Sequence, residues 1–385
     1  MIKPLSSILI KPAGPSCNLN CDYCFYLKKK DLFEGNDFKM SESTLEELIR
    51  QAMEQSGNEI NFLWQGGEPT LMGLDFFKLV IEYQIKYGKG KTVGNGLQTN
   101  GTLLDHKWIP FLAKHNFLVG LSIDGPEKIH DHYRKYKNKK GSWKQVMESY
   151  LKMKEAGIAV NAMATLTKYS ANSPLDTYDF FKKLELDFIQ FIPVFETNSQ
   201  GIEDFSVSAE AYGNFLVKIW RLWLQDFMIG KAPNIRTFEA IFGNYVGTGA
   251  SECTFSNECG NYLVVEHNGD VFSCDFFVEP EWKLGNISTH SLKSMLNSAK
   301  QKRFGLQKTF KNSECKNCVY YPYCNAGCLK YRVLQKNGEP HNFFCKAYKQ
   351  FFKEAHPILL NLAKQWKEDD LKNNQGKTFD ATGYF

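Results

Sequence analysis

The sequence lacks the features that mark membrane-spanning, secreted and nucleic-acid-binding proteins. No apolar run approaches the roughly 18 residues that are needed to cross a bilayer. The opening residues MIKPLSSILIKP contain only a short apolar stretch, well below the core of a secretory signal peptide. The net charge of +5 over 385 residues is too small to indicate a nucleic-acid partner. We therefore expect a cytoplasmic protein that binds neither membrane nor nucleic acid.

The sequence also has no cysteine between Cys24 and Cys253, although it has 11 in all. A chain of 385 residues buries enough surface to fold without disulfides, and a reducing cytosol disfavours them. Cysteines that only filled the core would be scattered along the chain. One set near the start and another after residue 250 instead indicate two kinds of metal or redox site.

The first half of the chain alternates strands with helices, which predicts a parallel sheet with helices outside it. The predicted strands are 7–11, 59–64, 92–98, 117–123, 159–166 and 188–193. Six strand–helix units are too few to close an eight-stranded barrel, so we predict an α/β fold, a partial (β/α)6 TIM-like barrel. Chemistry in such folds lies at the carboxyl ends of the strands, where GGEP, QTNG and SIDGP occur.

The second half predicts a small cysteine-rich domain. Tyr262–Glu266 and Val271–Phe276 alternate in polarity around Asn268-Gly269, which is a strong β-hairpin signal. Few long periodic segments follow before a C-terminal helix at about 345–367, which suits a domain organised by metal. We place the barrel at residues 1–235, the cysteine-rich domain at 236–370 and a C-terminal tail at 371–385.

The first cysteine set is Cys17, Cys21 and Cys24. A structural zinc ion wants four protein ligands, so this trio would leave one position open. A [4Fe–4S] cluster held by three cysteines leaves one iron free to bind another molecule, as a catalytic cluster requires. A zinc clip with a distant fourth ligand and three unconnected buried thiols are the alternative interpretations.

The cysteine motif, with Tyr23 just before its last cysteine, resembles the radical S-adenosylmethionine (SAM) enzymes. GGEP resembles the loop that holds the SAM amino group in that family. Ser122 and Arg134 match the positions that hold the SAM carboxylate, a task that suits the planar, permanently charged guanidinium. The SAM-binding residues implied by the resemblance are Tyr23, Gly66, Gly67, Glu68, Ser122, Asp124 and Arg134. Gln98 and Asn100 are further candidates, and each is equally well explained as a turn residue.

The second cysteine set resembles the SPASM extension of radical SAM enzymes that modify peptides. The resemblance implies two auxiliary [4Fe–4S] clusters with four cysteines each, a partition that spacing alone does not give. The implied ligands are Cys253, Cys259, Cys274 and Cys328 for auxiliary cluster I, and Cys315, Cys318, Cys324 and Cys345 for auxiliary cluster II. With the SAM cluster, the chain would carry three [4Fe–4S] clusters. From spacing alone, a pair of zinc ribbons stays open as the alternative.

Over residues 5–365 the sequence is most similar to the anaerobic sulfatase-maturating enzymes. The stretches that carry the similarity include IKP at 10–12, CNLNCDYCFY at 17–26, QGGEPTL at 65–71, LQTNGTL at 97–103 and SCDFF at 273–277. These enzymes convert a Cys or Ser of a sulfatase precursor into Cα-formylglycine. The implied partners are an unfolded sulfatase polypeptide as substrate and flavodoxin or ferredoxin as electron donor.

The resemblance also implies a mechanism. Reductive cleavage of SAM gives a 5′-deoxyadenosyl radical, which takes a hydrogen atom from Cβ of the target residue. A base removes the thiol or hydroxyl proton, and the remaining electron passes to an auxiliary cluster. Asp275 matches the position of the base, and we expect it in a strand, where it and Cys274 point to opposite faces. Tyr26 and Gln65 match residues near the substrate, with ordinary packing as the alternative.

Two other functions stay open on the sequence. One is a SPASM enzyme that crosslinks or otherwise oxidises another ribosomally made peptide. The other is a zinc-binding interaction protein without enzymatic activity. The basic runs Lys28–Lys30 and Arg134–Lys140 are not accompanied by a nucleic-acid motif.

Overall fold

The computed structural model describes residues 2–373, and the chain divides into two compact units. The first unit comprises the chain up to Ile123 with 127–163 and 260–306. The second comprises 124–126, 164–259 and the chain from Gln307 onward. The predicted domain division at residues 235 and 370 stays a prediction. The tail predicted at 371–385 lies outside the described residues from 374 onward.

The strands and helices follow the alternating order that the sequence predicts. The strands are β1 (Ser7–Lys11), β2 (Glu59–Trp64), β3 (Thr92–Thr99), β4 (Leu118–Ser122), β5 (Val160–Leu166), β6 (Phe188–Pro193), β7 (Thr197–Asn198), β8 (Gly201–Ile202), β9 (Asn234–Ile235), β10 (Leu263–Glu266), β11 (Asp270–Phe272), β12 (Lys283–Asn286), β13 (Arg332–Leu334) and β14 (Pro340–Asn342). The helices are α1 (Glu42–Gln55), α2 (Leu74–Tyr87), α3 (Trp108–Lys114), α4 (Glu127–Tyr133), α5 (Trp143–Glu155), α6 (Pro174–Leu184), α7 (Ala209–Phe227), α8 (Arg236–Val246), α9 (Leu292–Leu296), α10 (Ala299–Leu306), α11 (Ser313–Lys316), α12 (Tyr321–Cys324) and α13 (Cys345–Asn373).

The first unit is built on a sheet in the order β12-β11-β10-β1-β2-β3-β4-β5. Strands β1 to β5 are parallel neighbours, and helices lie in the connections between them. β10 joins the free side of β1 in parallel and pairs Glu266 with Lys11, while β11 and β12 continue the sheet antiparallel. The predicted hairpin therefore places the carboxyl end of β10 beside that of β1.

Burial explains why these segments form strands and helices. In β2, Ile60, Phe62 and Trp64 are buried and the residues between them are exposed, which is the period of two of a strand. The Trp64 ring packs edge-on against Phe77 of α2 at 5.7 Å between ring centres. Helix α1 begins after Ser41, whose hydroxyl accepts a hydrogen bond from the Thr44 amide.

The second unit combines the last parallel strands with the cysteine-rich part of the chain. β6 pairs with β9 in parallel, and two short antiparallel pairs, β7-β8 and β13-β14, accompany them. Helices α7, α8 and α13 share an aromatic core, in which Trp220 meets Phe238 and Phe351 at 5.2 and 5.7 Å between ring centres. The predicted α/β class, with parallel strands first and a cysteine-rich part with a C-terminal helix last, is confirmed.

The strand predicted through Phe276 ends earlier. β11 stops at Phe272, and residues 275–277 form a 3-10 turn in which the Phe277 amide donates to the Cys274 carbonyl. The pairing of β11 with β12 shifts register after Val271, so the ladder does not continue to Asp275. The expectation that Asp275 lies in a strand is therefore wrong, and the turn decides where its side chain points.

Candidate active site

Residues 12–26, between β1 and a 3-10 turn at Leu27–Leu32, carry the first cysteine set and are called the cysteine loop below. Cys17, Cys21 and Cys24 are each partly exposed. The Leu19 amide and the Asn100 side-chain amide are directed at the Cys17 sulfur, at 3.4 and 3.8 Å. Hydrogen bonds to cysteine sulfur are among the means by which proteins tune iron–sulfur clusters. Three thiols close in sequence, with donors already directed at one sulfur, fit such a cluster.

The protonation state of the thiols in this loop depends on whether metal is bound. Burial, with the Glu68 carboxylate as the second cause, raises the pKa of the Cys17 thiol to about 12. Burial raises the pKa of Cys24 as well. Such thiols stay protonated near neutral pH unless a metal replaces the proton, so loading the site releases protons.

The GGEP loop, Gly66–Pro69, packs directly against the cysteine loop. The Gly67 amide donates to the Gly14 carbonyl at 2.8 Å, and the Glu68 amide donates to the Ser16 carbonyl at 2.7 Å. A Cβ atom on Gly67 would overlap the Ser16 carbonyl oxygen. Glycine is therefore required here because two backbone segments come too close for any side chain.

We expect Gly67→Ala to disturb the cysteine loop. The added methyl group must displace the Ser16 backbone, and overpacking of this kind costs about 1–3 kcal/mol. The variant should lose the iron bound by the cysteine loop, measured as iron per chain after anaerobic reconstitution. Gly57→Ala is the matched control, since its Cβ would meet open space. Equal iron content in both variants would contradict this account of the loop contact.

Glu68 is buried and joins the GGEP loop to the loop after β3. Its Oε1 accepts from the Thr70 amide and hydroxyl and from the Thr99 hydroxyl, at 3.0, 2.6 and 2.7 Å. Its Oε2 accepts from the Asn100 amide at 2.8 Å. Burial raises the pKa of Glu68, and these hydrogen bonds oppose that shift. Glu68 thus holds two loops together, and its implied contact with the SAM amino group stays a prediction.

Asn100 and Gln98 are both engaged in the first unit. The Asn100 side chain donates to the side-chain oxygen Oδ1 of Asn18 at 2.9 Å and accepts from the Thr102 hydroxyl at 2.7 Å. It is therefore a turn residue that also reaches the cysteine loop. Gln98 on β3 donates to the Ser122 hydroxyl on β4 at 2.9 Å. Ser122 is the last residue of β4, and its implied contact with the SAM carboxylate stays a prediction.

Two further implied SAM residues, Tyr23 and Arg134, meet in the first unit. The Arg134 guanidinium carbon lies 5.5 Å from the centre of the Tyr23 ring, within the range of a cation–π contact. The Asn20 amide donates to the Lys135 carbonyl at 2.8 Å, which ties this segment to the cysteine loop. Asp124 belongs to the second unit, where its carboxylate accepts from the Thr165 amide at 2.8 Å.

Asp275 forms an ion pair that the sequence pattern does not predict. The Lys11 ammonium lies 2.5 Å from Oδ1 of Asp275, and their side chains are 1% and 20% exposed. The ammonium also lies 3.5 Å from the centre of the Tyr26 ring. The Tyr26 hydroxyl donates to the buried Glu266 carboxylate, at 2.8 and 2.7 Å to its two oxygens. Lys11 thus fixes one side of a carboxylate that keeps some access to solvent.

Only one sequence signal pointed to this cluster. Lys11 and Glu266 each end a buried strand, and such strands rarely end on a buried charge without a partner. Tyr26 is buried, and burial together with Glu266 raises its pKa. Gln65 follows β2, and its amide donates to the Ile10 carbonyl at 2.8 Å. The implied substrate contacts of Tyr26 and Gln65 stay predictions.

Four cysteines of the second unit line one cavity: Cys315, Cys318, Cys324 and Cys345. Burial, with neighbouring thiols adding to the effect, raises the pKa of Cys324 to about 12. Burial likewise raises the pKa of Cys345 to about 11. Thiols close enough to repel one another as thiolates fit a shared metal centre, and this set coincides with the implied ligands of auxiliary cluster II.

The same cavity contains a second possible ligand set. Glu314, His341 and Cys345 offer ligand atoms that all lie within 4.8 Å of one another. Glu314, however, is paired with the Lys349 ammonium at 2.8 Å. Four thiols match the ligand preference of an iron–sulfur cluster better than this mixed set does.

The implied ligands of auxiliary cluster I are divided between the units. Cys253, Cys259 and Cys328 belong to the second unit, where all three act electrostatically on Lys308. Cys274 belongs to the first unit, where its sulfur lies 3.6 Å from the Tyr262 hydroxyl.

Within residues 2–373, no helix combines the length and the apolarity that a bilayer crossing demands.

Sequence comparison with known proteins identifies the family to which the chain belongs. The family model described as the Radical SAM superfamily matches residues 12–181, and SPASM, described as an iron–sulfur cluster-binding domain, matches 253–319. The chain is 40% identical to a serine-type anaerobic sulfatase-maturating enzyme of Bacteroides thetaiotaomicron, covering 94% of this chain and 92% of that protein. It is 34% identical to a cysteine-type anaerobic sulfatase-maturating enzyme of Clostridium perfringens, covering 94% of this chain and 100% of that protein.

A solved structure agrees with the sequence comparison. The fold matches "Native anSMEcpe with bound AdoMet and Cp18Cys peptide" with a TM-score of 0.87 and 34% sequence identity, covering 94% of this chain and 99% of that chain. The match includes both the parallel sheet and the cysteine-rich part, so the resemblance inferred from the motifs is confirmed. The chain therefore belongs to the anaerobic sulfatase-maturating enzymes, which are radical SAM enzymes with a SPASM iron–sulfur domain.

Proposed function

We propose that this enzyme oxidises a Cys or Ser residue of an unfolded sulfatase polypeptide to Cα-formylglycine. The observation that carries the proposal is the arrangement of the first unit. The cysteine loop and the GGEP loop follow the carboxyl ends of the neighbouring parallel strands β1 and β2. Lys11, the last residue of β1, forms an ion pair with Asp275 in the turn after β11. Serine-type and cysteine-type relatives both match the chain, which supports either target residue.

The proposed cofactors are SAM and three [4Fe–4S] clusters. Cys17, Cys21 and Cys24 would hold the SAM cluster, and SAM would contact Tyr23, Gly66, Gly67, Glu68, Ser122, Asp124 and Arg134. Auxiliary cluster I would take Cys253, Cys259, Cys274 and Cys328, and auxiliary cluster II would take Cys315, Cys318, Cys324 and Cys345. When bound, these groups supply a 5′-deoxyadenosyl radical that takes a hydrogen atom and an acceptor for one electron.

Asp275 is the proposed base. The target residue loses a hydrogen atom from Cβ, a proton from its thiol or hydroxyl, and one electron. These losses leave a double bond between Cβ and sulfur or oxygen, and water converts the thioaldehyde to the aldehyde with release of hydrogen sulfide. Asp275 would accept the proton, because it is an acid–base group held beside Lys11 at the end of β1 and 20% of its side chain is exposed.

Lys11 has a positioning role in this proposal. Its ammonium is held between the Tyr26 ring and Asp275, so one carboxylate oxygen is fixed by the pair. The other oxygen would then face the substrate. Tyr26 is in turn fixed by Glu266. The proposed substrate contacts of Tyr26 and Gln65 would lie next to this pair.

The remaining assignments come from the family. We propose flavodoxin or ferredoxin as the electron donor and the cytoplasm as the location. We also propose that residues 1–235 form the radical SAM part and residues 236–370 the SPASM part.

Isotope transfer tests the proposed reaction. The enzyme would be incubated anaerobically with SAM, a reductant and a sulfatase peptide that carries deuterium at Cβ of the target residue. We expect deuterium in the 5′-deoxyadenosine that is released. Unlabelled 5′-deoxyadenosine formed together with oxidised peptide would contradict abstraction from Cβ.

A further inference from the structure

Lys308 is a fully buried lysine in the second unit. Its ammonium donates to the carbonyl of Cys253 at 2.6 Å and to the carbonyl of Thr254 at 2.7 Å. Among the residues that the structure describes, no carboxylate oxygen lies within 4 Å of this ammonium. A buried charge without a counter-charge is strongly unfavourable, so this arrangement requires an explanation.

The acidic groups that act most strongly on Lys308 are cysteine thiols. Burial lowers the pKa of Lys308, and Cys259, Cys328 and Cys253 oppose that shift. Burial also raises the pKa of the neighbouring Glu252 carboxyl group, and Lys308 is among the charges that oppose that shift. The three cysteines become negative only when they lose their protons, as they do on binding metal. Loading this site with metal would therefore place negative charge around Lys308.

Arg332 strengthens the positive charge of this region. Its guanidinium donates to the backbone carbonyls of Gln307 and Lys308 at 2.9 and 2.8 Å. Its electrostatic partners include Cys259 and Cys328 of one proposed ligand set and Cys315 of the other. Two cations thus lie among the cysteines, and their hydrogen bonds go to neutral carbonyl groups.

We propose that Lys308 is the internal counter-charge of the auxiliary cluster held by Cys253, Cys259 and Cys328, and that it raises the reduction potential of that cluster. This inference rests on the proposed function, in which an auxiliary cluster accepts one electron from the substrate radical. A cluster bound by thiolates is negative, and its reduction adds one further negative charge without moving a proton. A fixed ammonium stabilises the reduced form more than the oxidised form, so electron acceptance becomes easier.

Neutral variants test the proposal. The holoenzyme would be prepared as wild type, Lys308→Met, Lys308→Gln and Lys308→Arg, and the auxiliary clusters would be titrated with reductant and followed by electron paramagnetic resonance. Lys308→Met and Lys308→Gln should shift one reduction equilibrium about tenfold toward the oxidised form, which is about 59 mV for one electron. Lys308→Arg should stay close to wild type because it keeps the charge.

Lys330→Met is the matched control. Lys330 is nearby in sequence, but its ammonium is already paired with the Glu196 carboxylate at 2.9 Å. Removing it changes the net charge of the protein by the same amount, and the potential should shift much less than in Lys308→Met. Equal shifts in the two variants would overturn the proposal, as would an unchanged potential in Lys308→Met.

If a neutral variant is too unstable for the titration, its iron content per chain after reconstitution provides a second measurement. If Lys308→Met and Lys308→Gln take up less iron while Lys308→Arg loads fully, the requirement for charge is supported. If Lys308→Arg also fails to load, the clamp on the Cys253 and Thr254 carbonyls is the role of Lys308, and the proposal is overturned. The titration needs no sulfatase peptide, so it stands even if the proposed substrate is wrong.

Discussion

Replacing Cys17, Cys21 and Cys24 together by alanine should abolish SAM cleavage and leave the auxiliary iron in place. Three [4Fe–4S] clusters correspond to about twelve irons per chain, so the triple variant should retain about eight. The physical reason is that these thiols belong to a loop of the first unit, whereas four other cysteines line a cavity of the second unit. Iron analysis and chromatographic detection of 5′-deoxyadenosine measure both effects.

The matched control removes ligands from the other site. Cys315→Ala with Cys318→Ala should lose auxiliary iron and still cleave SAM, because neither residue belongs to the cysteine loop. SAM cleavage that persists in the triple variant would contradict the assignment of the first cysteine set. Loss of nearly all iron from the triple variant would contradict the independence of the two sites.

Asp275→Asn should cleave SAM at close to the wild-type rate and form very little aldehyde. Asparagine keeps the shape of the side chain but cannot accept a proton, and loss of general-base catalysis typically costs 10²–10⁴-fold. The readout is the amount of formylglycine peptide formed per SAM cleaved. A ratio equal to that of wild type would remove Asp275 as the base.

The variant also breaks the ion pair with Lys11, so a control must break a comparable pair. Asp270→Asn does so in the same hairpin, since Asp270 lies 2.7 Å from the Lys283 ammonium and is 14% exposed. We expect this control to keep its aldehyde yield. A similar fall in both variants would point to weakened packing of the hairpin rather than to a lost base.

Local patterns were sufficient to predict most of the sheet. The bounds of β1, β2 and β6 agree with the sequence prediction residue by residue, because buried strands in a parallel sheet are apolar or strictly alternating. The positions of the cysteine loop and the GGEP loop could also be predicted from the sequence, because each loop directly follows one of these buried strands. The two loops are held in contact by the hydrogen bonds of Gly67 and Glu68 to the cysteine loop. These are tertiary contacts, which a local sequence pattern does not predict.

Three features depended on contacts that the sequence does not encode locally. The Lys11–Asp275 pair joins residues from opposite ends of the first unit's sequence, through the pairing of β1 with β10. The turn at Asp275 follows from a register shift between β11 and β12. Lys308 occurs in the polar stretch QKRFGLQKTF, where a lysine is expected at the surface. Its burial follows from the packing of the cysteine-rich part.

The most direct test of the central claim is the mass of a peptide product. Peptides with Cys-x-Pro-x-Arg and Ser-x-Pro-x-Arg would each be incubated anaerobically with reconstituted enzyme, SAM and a reductant. Our account predicts that at least one target residue becomes an aldehyde that reacts with a hydrazine probe, with 5′-deoxyadenosine formed in the same reaction. Abundant SAM cleavage with both peptides unchanged in mass would contradict formylglycine formation and favour a different peptide as substrate.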